Sequence, residues 1–157
     1  MLLATAITLF AAAVGGAALL PGHGRPGPAS TAIDPSDPAQ VALGRRVYGE
    51  RCAGCHGANL EGQPDWQSRR PDGRLPAPPH DASGHTWHHA DDVLFRITRD
   101  GTAAIVGGGY ESDMPGFGGV LSDAEIRAAL AFIKSTWPER ERDLQERRSR
   151  LESEAAR

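Results

Sequence analysis

Cysteine usage constrains this chain more than any other feature of its sequence. Only two cysteines occur in 157 residues, and Cys52 and Cys55 are followed directly by His56. A single pair is too small for a disulfide framework, and a thioredoxin-like dithiol requires a βαβ context that this sequence does not show. A tetrahedral zinc site would need further ligands from histidines or carboxylates elsewhere in the chain. Both cysteines therefore belong to one local feature.

The segment CAGCH at 52–56 has the C-x-x-C-H spacing that attaches a c-type haem. Two thiols at this spacing reach the vinyl groups on adjacent rings of one porphyrin, and the next residue is then held beneath the iron. The two small residues between the cysteines allow the backbone to turn against the macrocycle. We expect His56 to bind iron through one ring nitrogen and to donate its other N–H to a carbonyl. The loop 57–64 is where we expect that acceptor.

The N-terminal segment, residues 1–20, carries no charged side chain. As a helix it would span about 30 Å, which is roughly the hydrocarbon thickness of a bilayer. This length favours a retained membrane anchor, because the apolar core of a cleaved signal peptide is usually only about 7–15 residues long. The small residues Gly15, Gly16 and Ala17 suit a signal peptidase, so cleavage is the alternative. The Pro- and Gly-rich residues 21–38 are predicted to form an extended linker.

Capping signals predict where the first helix of the folded part begins. Asp37 is suited to cap a helix whose first position is Pro38, and Gln40 stands where a capping box places its second member. The helix is expected to run into the cysteine pair with Gly44 and Tyr48 on one face. Glycine costs about 1 kcal/mol relative to alanine in a helix, so a close helix contact at Gly44 is expected to compensate.

Two further helices are predicted downstream. A middle helix covers about 91–100, with Gly101 as its stop. A closing helix begins at a capping box of Ser122 and Glu125 and is ended by Pro138. The residues expected to face inward are Val93, Leu94 and Ile97 on the middle helix, and Ile126, Ala129, Leu130, Ile133 and Trp137 on the closing one.

Composition limits both the fold and the partners. Aromatic residues make up only 6% of the chain, beside 19 glycines and 12 prolines, so a bulky apolar cofactor would supply part of the core. Residues 57–79 hold five prolines and are expected to be loop. The tail, 138–157, mixes acidic and basic residues and is expected to be a solvated helix or a frayed end. The net charge is −3 and no segment is strongly basic, so nucleic acid is not an expected partner.

The chain resembles the class I cytochrome c family over roughly residues 39–137. The resemblance is carried by CAGCHG at 52–57, by DMPGF at 113–117 and by the closing helix LSDAEIRAALAFIKSTW. It implies a small all-α domain of three to four helices around a covalently bound haem, with long Pro/Gly-rich loops. It also implies that the first and last helices cross at a contact between Gly44 and Phe132. The segment LPAPPHDASGHTWHH is similar to the proline-rich middle loop of membrane-tethered or periplasmic mono-haem cytochromes.

The resemblance also implies a methionine as the sixth iron ligand. Met114 precedes Pro115, as the family ligand does, and the only other methionine, Met1, lies in the N-terminal segment. We therefore expect His56 and Met114 as the axial pair.

Four histidines offer an alternative set of ligands: His80, His85, His88 and His89. If one of them were the sixth iron ligand instead of methionine, it would lower the reduction potential of the haem. Together they would suit a copper or zinc ion. They are otherwise expected near the propionates or on the surface. Trp87, within this cluster, is expected to donate its indole N–H to a haem propionate, as a matching tryptophan does in the family, with simple packing as the alternative.

The sequence thus predicts a mono-haem one-electron carrier, attached through Cys52 and Cys55, that is not an enzyme in isolation. The alternatives are a haem-bearing subunit of a larger oxidoreductase and a copper-binding module built on the histidine cluster. We expect a monomer on the periplasmic side of the cytoplasmic membrane, anchored by residues 1–20 or released if they are cleaved. Its expected partners are respiratory redox proteins that make transient contact.

Overall fold

The computed structural model describes residues 31–157, and within that range the chain is helical and contains no strand. The helices are α1 Pro38–Arg51, α2 Ala53–His56, α3 Asp91–Asp100, α4 Thr102–Val106, α5 Asp123–Ser135 and α6 Glu139–Ala155, with a 3-10 turn at Thr86–His88 before α3. Up to residue 137, α1, α3 and α5 are the long helices, while α2 and α4 are single turns. The predicted all-α class is confirmed.

Helix α1 begins where its capping signal predicted. The Asp37 carboxylate accepts from the backbone N–H groups of Ala39 at 2.9 Å and Gln40 at 3.3 Å, and Pro38 occupies the first helical position. The predicted capping box is wrong, however. The Gln40 side chain accepts from the Asp34 N–H at 2.7 Å and donates to the Ala32 carbonyl at 3.0 Å. It therefore fixes the segment that enters the helix instead of the helix end itself.

The segment before α1 belongs to the folded unit. Ile33 was predicted to be part of the linker, yet it is buried in the hydrophobic core. The predicted anchor, residues 1–20, lies outside the described residues, as does most of the predicted linker. Among the helices of residues 31–157, none combines the length and the apolar character needed to cross a membrane.

Helices α1 and α5 cross at Gly44, as the resemblance implied. A Cβ at Gly44 would collide with the Ala128 carbonyl and would lie 2.9 Å from the Phe132 Cβ. The Tyr48 ring lies 5.4 Å from the Phe132 ring on the same side. The crossing therefore depends on a residue without a side chain. It sets the orientation of α1 and thereby the position of the cysteines at its C-terminal end. All five residues predicted to face inward on this helix and at its end belong to the core, as do Ala131 and Phe132.

Helix α3 supports the loop that carries Met114. Its most buried residues are Leu94 and Phe95, whereas Val93 and Ile97, which were predicted to face inward, are only half-buried. The C-terminal end of α3 accepts backbone bonds from that loop, from Phe117 N–H to the Thr98 carbonyl at 3.0 Å and from Gly118 N–H to the Arg99 carbonyl at 2.8 Å. The position of the loop is thereby tied to α3.

The C-terminal tail forms helix α6, and one of its faces is buried. Gln145 is fully buried, and its side-chain amide donates to the Asp91 carboxylate at 2.7 Å and to the His89 carbonyl at 3.2 Å. Asp91 also pairs with the buried Lys134 ammonium at 2.8 Å. The expectation of a wholly solvated or frayed tail is therefore wrong, since polar groups hold α6 against the start of α3.

Candidate functional site

The Cys–His segment is a direct continuation of α1. The N–H of Cys52 donates to the Tyr48 carbonyl at 2.9 Å, and the N–H of His56 donates to the Cys52 carbonyl at 2.9 Å. Gly57, with φ of +82°, then ends the turn. Both cysteines are free thiols, Cys52 half-buried and Cys55 exposed. Burial, with the neighbouring Cys55 as a second cause, raises the pKa of Cys52 to about 11.

The His56 side chain is buried and held at one nitrogen. Its Nδ1 lies 2.8 Å from the Pro78 carbonyl oxygen. Because a carbonyl only accepts, Nδ1 carries the proton and Nε2 keeps its lone pair. The predicted N–H donation is present, but the predicted place of its acceptor is wrong, since Pro78 lies beyond the loop 57–64. Burial lowers the pKa of His56, and the bond to Pro78 acts in the opposite direction.

Loop 57–79 brings Pro78 to His56 by pairing its two ends. Gly62 N–H donates to the His56 carbonyl at 2.8 Å, and Gln63 N–H donates to the Ala77 carbonyl at 2.9 Å. A Cβ at Gly62 would lie 2.5 Å from the Pro79 nitrogen, so only glycine permits this approach. The sequence signal for the acceptor was the Pro78–Pro79 pair, because an extended proline backbone presents carbonyls that its own segment does not use.

Tyr48 fastens the start of the same loop. Its hydroxyl donates to the Gly57 carbonyl at 2.8 Å. The side chain is almost fully buried, and burial is the main cause that raises the pKa of Tyr48. A residue predicted only as part of the apolar face of α1 therefore also holds the turn after His56.

His80 lies directly against His56. The two ring centroids are 4.0 Å apart and the ring planes meet at 23°. Two rings that stack in this way lie side by side, so they would not bind one iron from its two opposite faces. The arrangement therefore disfavours His80 as the sixth ligand. Burial, followed by the nearby His56 and His85 rings, holds the pKa of His80 well below its usual range.

The other three histidines are dispersed among aromatic contacts. His85 stacks on Trp66 at 5.3 Å, and His88 stacks on Trp87 at 3.7 Å. The His89 and His85 rings lie 5.4 Å apart in a T-shaped arrangement. Nowhere in residues 31–157 do three histidine, cysteine or carboxylate side chains come together in a group able to hold a metal ion. The predicted copper or zinc alternative therefore finds no support in this part of the chain.

Trp87 makes a local bond. Its indole N–H donates to the Ala82 carbonyl at 3.3 Å, and the ring packs against the core from its half-buried position. A bond to a propionate would replace this contact, so that role stays a prediction beside the packing alternative.

Met114 lies half-buried in the loop between α4 and α5. The Thr102 hydroxyl donates to its sulfur at 3.4 Å, and its own N–H donates to the Ser112 hydroxyl at 3.1 Å. Its neighbour Asp113 is bound by two guanidinium groups that sequence reasoning missed, Arg70 at 3.1 Å and Arg74 at 2.6 Å. These ion pairs link the Met114 loop to loop 57–79.

The chemistry of these side chains fits a covalently bound haem. Two unpaired thiols on adjacent helical turns are available for thioether bonds, and Nε2 of His56 is the nitrogen left for iron. The thioether of Met114 keeps a second lone pair beside the one facing Thr102. Thiols, an imidazole and a thioether are the groups that hold a c-type haem.

Comparison with protein families points to the same cofactor. The family model described as cytochrome c matches residues 41–137, which is more than half of the chain. No match to the chain was found among curated proteins or solved structures.

Proposed function

The chain belongs to the cytochrome c family, whose work is haem-based electron transfer, and on that premise we propose a mono-haem carrier with His56 and Met114 as axial ligands. Cys52 and Cys55 are the residues that would hold the haem covalently. When bound, the haem iron supplies the chemistry by alternating between its ferrous and ferric states, one electron at a time. The protein is an electron-transfer protein and not an enzyme in itself.

The bond from His56 Nδ1 to the Pro78 carbonyl is the observation that carries the proposal. It places a buried imidazole, one helical turn after Cys52, in the single tautomer that leaves Nε2 for a metal. Any buried imidazole needs a partner for its N–H, and what favours a ligand here is that the bond occupies Nδ1 in a histidine that directly follows Cys55. The orientation is supplied by the chain itself through the paired ends of loop 57–79.

Met114 is supported as the second ligand by its surroundings. It is the only methionine in residues 31–157, and its half-buried sulfur accepts from Thr102 instead of packing into an apolar face. Closure of both sides of the iron would exclude small ligands and make electron transfer independent of ligand exchange.

The proposed cellular location of the carrier rests on the N-terminal segment. The uncharged residues 1–20 favour the periplasmic side of a membrane, anchored or released after cleavage. A carrier there would exchange electrons with respiratory proteins by transient contact.

The test is expression with haem-maturation machinery, followed by mass and absorption measurements. The wild-type chain should gain the mass of one haem and show the far-red band of a methionine–iron bond in the ferric state. Met114→Leu should keep the haem and lose that band, because leucine offers no lone pair. Cys55→Ser should lose one thioether bond. His88→Gln serves as the matched control and should keep the band.

Two results would contradict the proposal. A far-red band that persists in Met114→Leu would exclude Met114 as the ligand. Rapid carbon monoxide binding by the ferrous wild-type protein would show that the sixth position is open.

A further inference from the structure

We propose that His80 is a positioning residue that fixes the ring plane of His56, an inference that rests on the proposed role of His56 as an iron ligand. Its basis is the face-to-face stack of the two imidazoles, with centroids 4.0 Å apart and planes at 23°. His80 would touch neither substrate nor electron partner and would act only through His56.

His56 requires such a restraint because its hydrogen bond alone leaves freedom. The χ2 torsion of histidine has broad wells, and an N–H···O bond tolerates considerable angular change before it weakens. The bond from Nδ1 to Pro78 therefore restricts the direction of the N–H group more strictly than it restricts rotation of the ring plane. A flat ring packed on its face removes the remaining rotation.

His80 is itself fixed at three points, so its ring can serve as a reference surface. Its backbone N–H donates to the Leu60 carbonyl at 2.8 Å. Its carbonyl accepts from the indole N–H of the buried Trp137 at 2.7 Å. Its Nδ1 lies 2.7 Å from the hydroxyl of the buried Thr86. These partners come from loop 57–79, from the residues after α5 and from the 3-10 turn, so the stack is tied to three separate parts of the fold.

The Thr86 contact explains why an imidazole serves here better than a plain apolar side chain. An aliphatic residue would fill the space but would present no flat face. A ring with a polar atom at Nδ1 presents that face at an angle determined by the hydrogen bond to Thr86. Tyr48 adds an edge contact with the His80 ring at 6.4 Å.

The orientation of an axial imidazole is measurable in the ferric protein. The imidazole plane determines how unpaired spin is distributed over the porphyrin, and the haem-methyl proton shifts report that distribution. The experiment compares proton NMR spectra of matured ferric wild type, His80→Ala and His80→Phe. We expect His80→Ala to change the order or narrow the spread of the methyl shifts, while His80→Phe, which keeps a stacking ring, stays nearer to wild type.

The outcomes separate this inference from the proposed function. A wild-type methyl pattern in His80→Ala, or a His80→Phe spectrum that departs as far as that of His80→Ala, overturns the positioning role. A wild-type protein without covalent haem or without the far-red band would instead overturn the proposed ligation. If His80→Ala does not fold, Thr86→Val takes its place; it removes the hydroxyl that contacts Nδ1 and that also makes a long bond to the Pro79 carbonyl, at 3.5 Å. Changed methyl shifts in that variant support the role, and unchanged shifts overturn it.

Discussion

The two sides of the proposed haem site are built by different means. On the His56 side, α1 is packed against α5 at Gly44, and the buried side chains of Tyr48 and His56 each make a hydrogen bond to a backbone carbonyl of the following loop. On the Met114 side, the loop begins with three glycines of positive φ, 107–109, and its nearest links to loop 57–79 are exposed ion pairs.

This difference predicts which side of the site loses its structure first as denaturant or salt is added. Contacts between buried groups resist solvent and salt, whereas an exposed ion pair typically contributes only about 0.2–1 kcal/mol and is screened by ions. The side chains of Arg70 and Asp113 are 39% and 46% exposed, so their pair belongs to the weak class. The proposed bond between the Met114 sulfur and the haem iron is therefore expected to break while the His56 side is still intact.

The largest effect is expected from Gly44→Ala, which attacks the His56 side at its support. The added Cβ would collide with the Ala128 carbonyl, a backbone group that cannot rotate away. Overpacking of this kind typically costs about 1–3 kcal/mol, and the free energy of unfolding by denaturant should fall by that amount.

Gly49→Ala is the matched control in the same helix. A Cβ there meets nothing within 4 Å, so the change should stabilise the protein by up to about 1 kcal/mol through helix propensity alone. Equal destabilisation by both variants would show that the α1–α5 crossing has no special need for glycine.

A smaller effect is expected from Tyr48→Phe. The change removes the hydroxyl that donates to Gly57 and should cost about 1 kcal/mol in the free energy of unfolding. Tyr110→Phe tests the other side, where the Tyr110 ring contacts Arg69, and should stay within about 0.5 kcal/mol of wild type. If Tyr110→Phe lowered the free energy of unfolding more than Tyr48→Phe, the Met114 side would be the more strongly held of the two.

The smallest effect is expected from Asp113→Asn. Removing this charge breaks the two ion pairs of Asp113 and leaves the longer one between Arg74 and Glu111, at 3.8 Å. The far-red band should therefore disappear at lower denaturant, by the equivalent of about 0.2–1 kcal/mol. The difference from wild type should shrink in high salt, because ions screen exposed charges. Asp65→Asn, the same charge change in loop 57–79, is the control. An effect of Asp113→Asn that does not depend on salt would argue against an electrostatic link.

Local signals in the sequence predicted the long helices well. Asp37 with Pro38, and Ser122 with Glu125, act within one turn of the chain, and both helix starts are found as predicted. Gln40 failed as a capping-box member because a long amide reaches several backbone groups, and the Ala32 and Asp34 groups lay closer to its final position. A pattern of residue types does not distinguish between such partners.

Features that depend on distant or polar contacts were missed. The Pro78 acceptor stands 22 residues from His56, and its approach depends on how loop 57–79 closes. The buried face of α6 was missed because Glu141 and Gln145 are polar, and hydrophobic periodicity is blind to a face held by hydrogen bonds. The four histidines are close in sequence, which suggested a metal site, yet no group of three potential metal ligands comes together within residues 31–157.

The indole bond from Trp137 to His80 has a consequence for the order of assembly. Trp137 lies 57 residues along the chain from His80, and α5, the partner of α1, also follows the cysteine pair in sequence. The core around the cysteines therefore cannot close until a long stretch of chain has folded back onto α1. In an exported chain, both thiols would stay open to maturation enzymes during that interval, and α5 and Trp137 would enclose the site after the haem is attached.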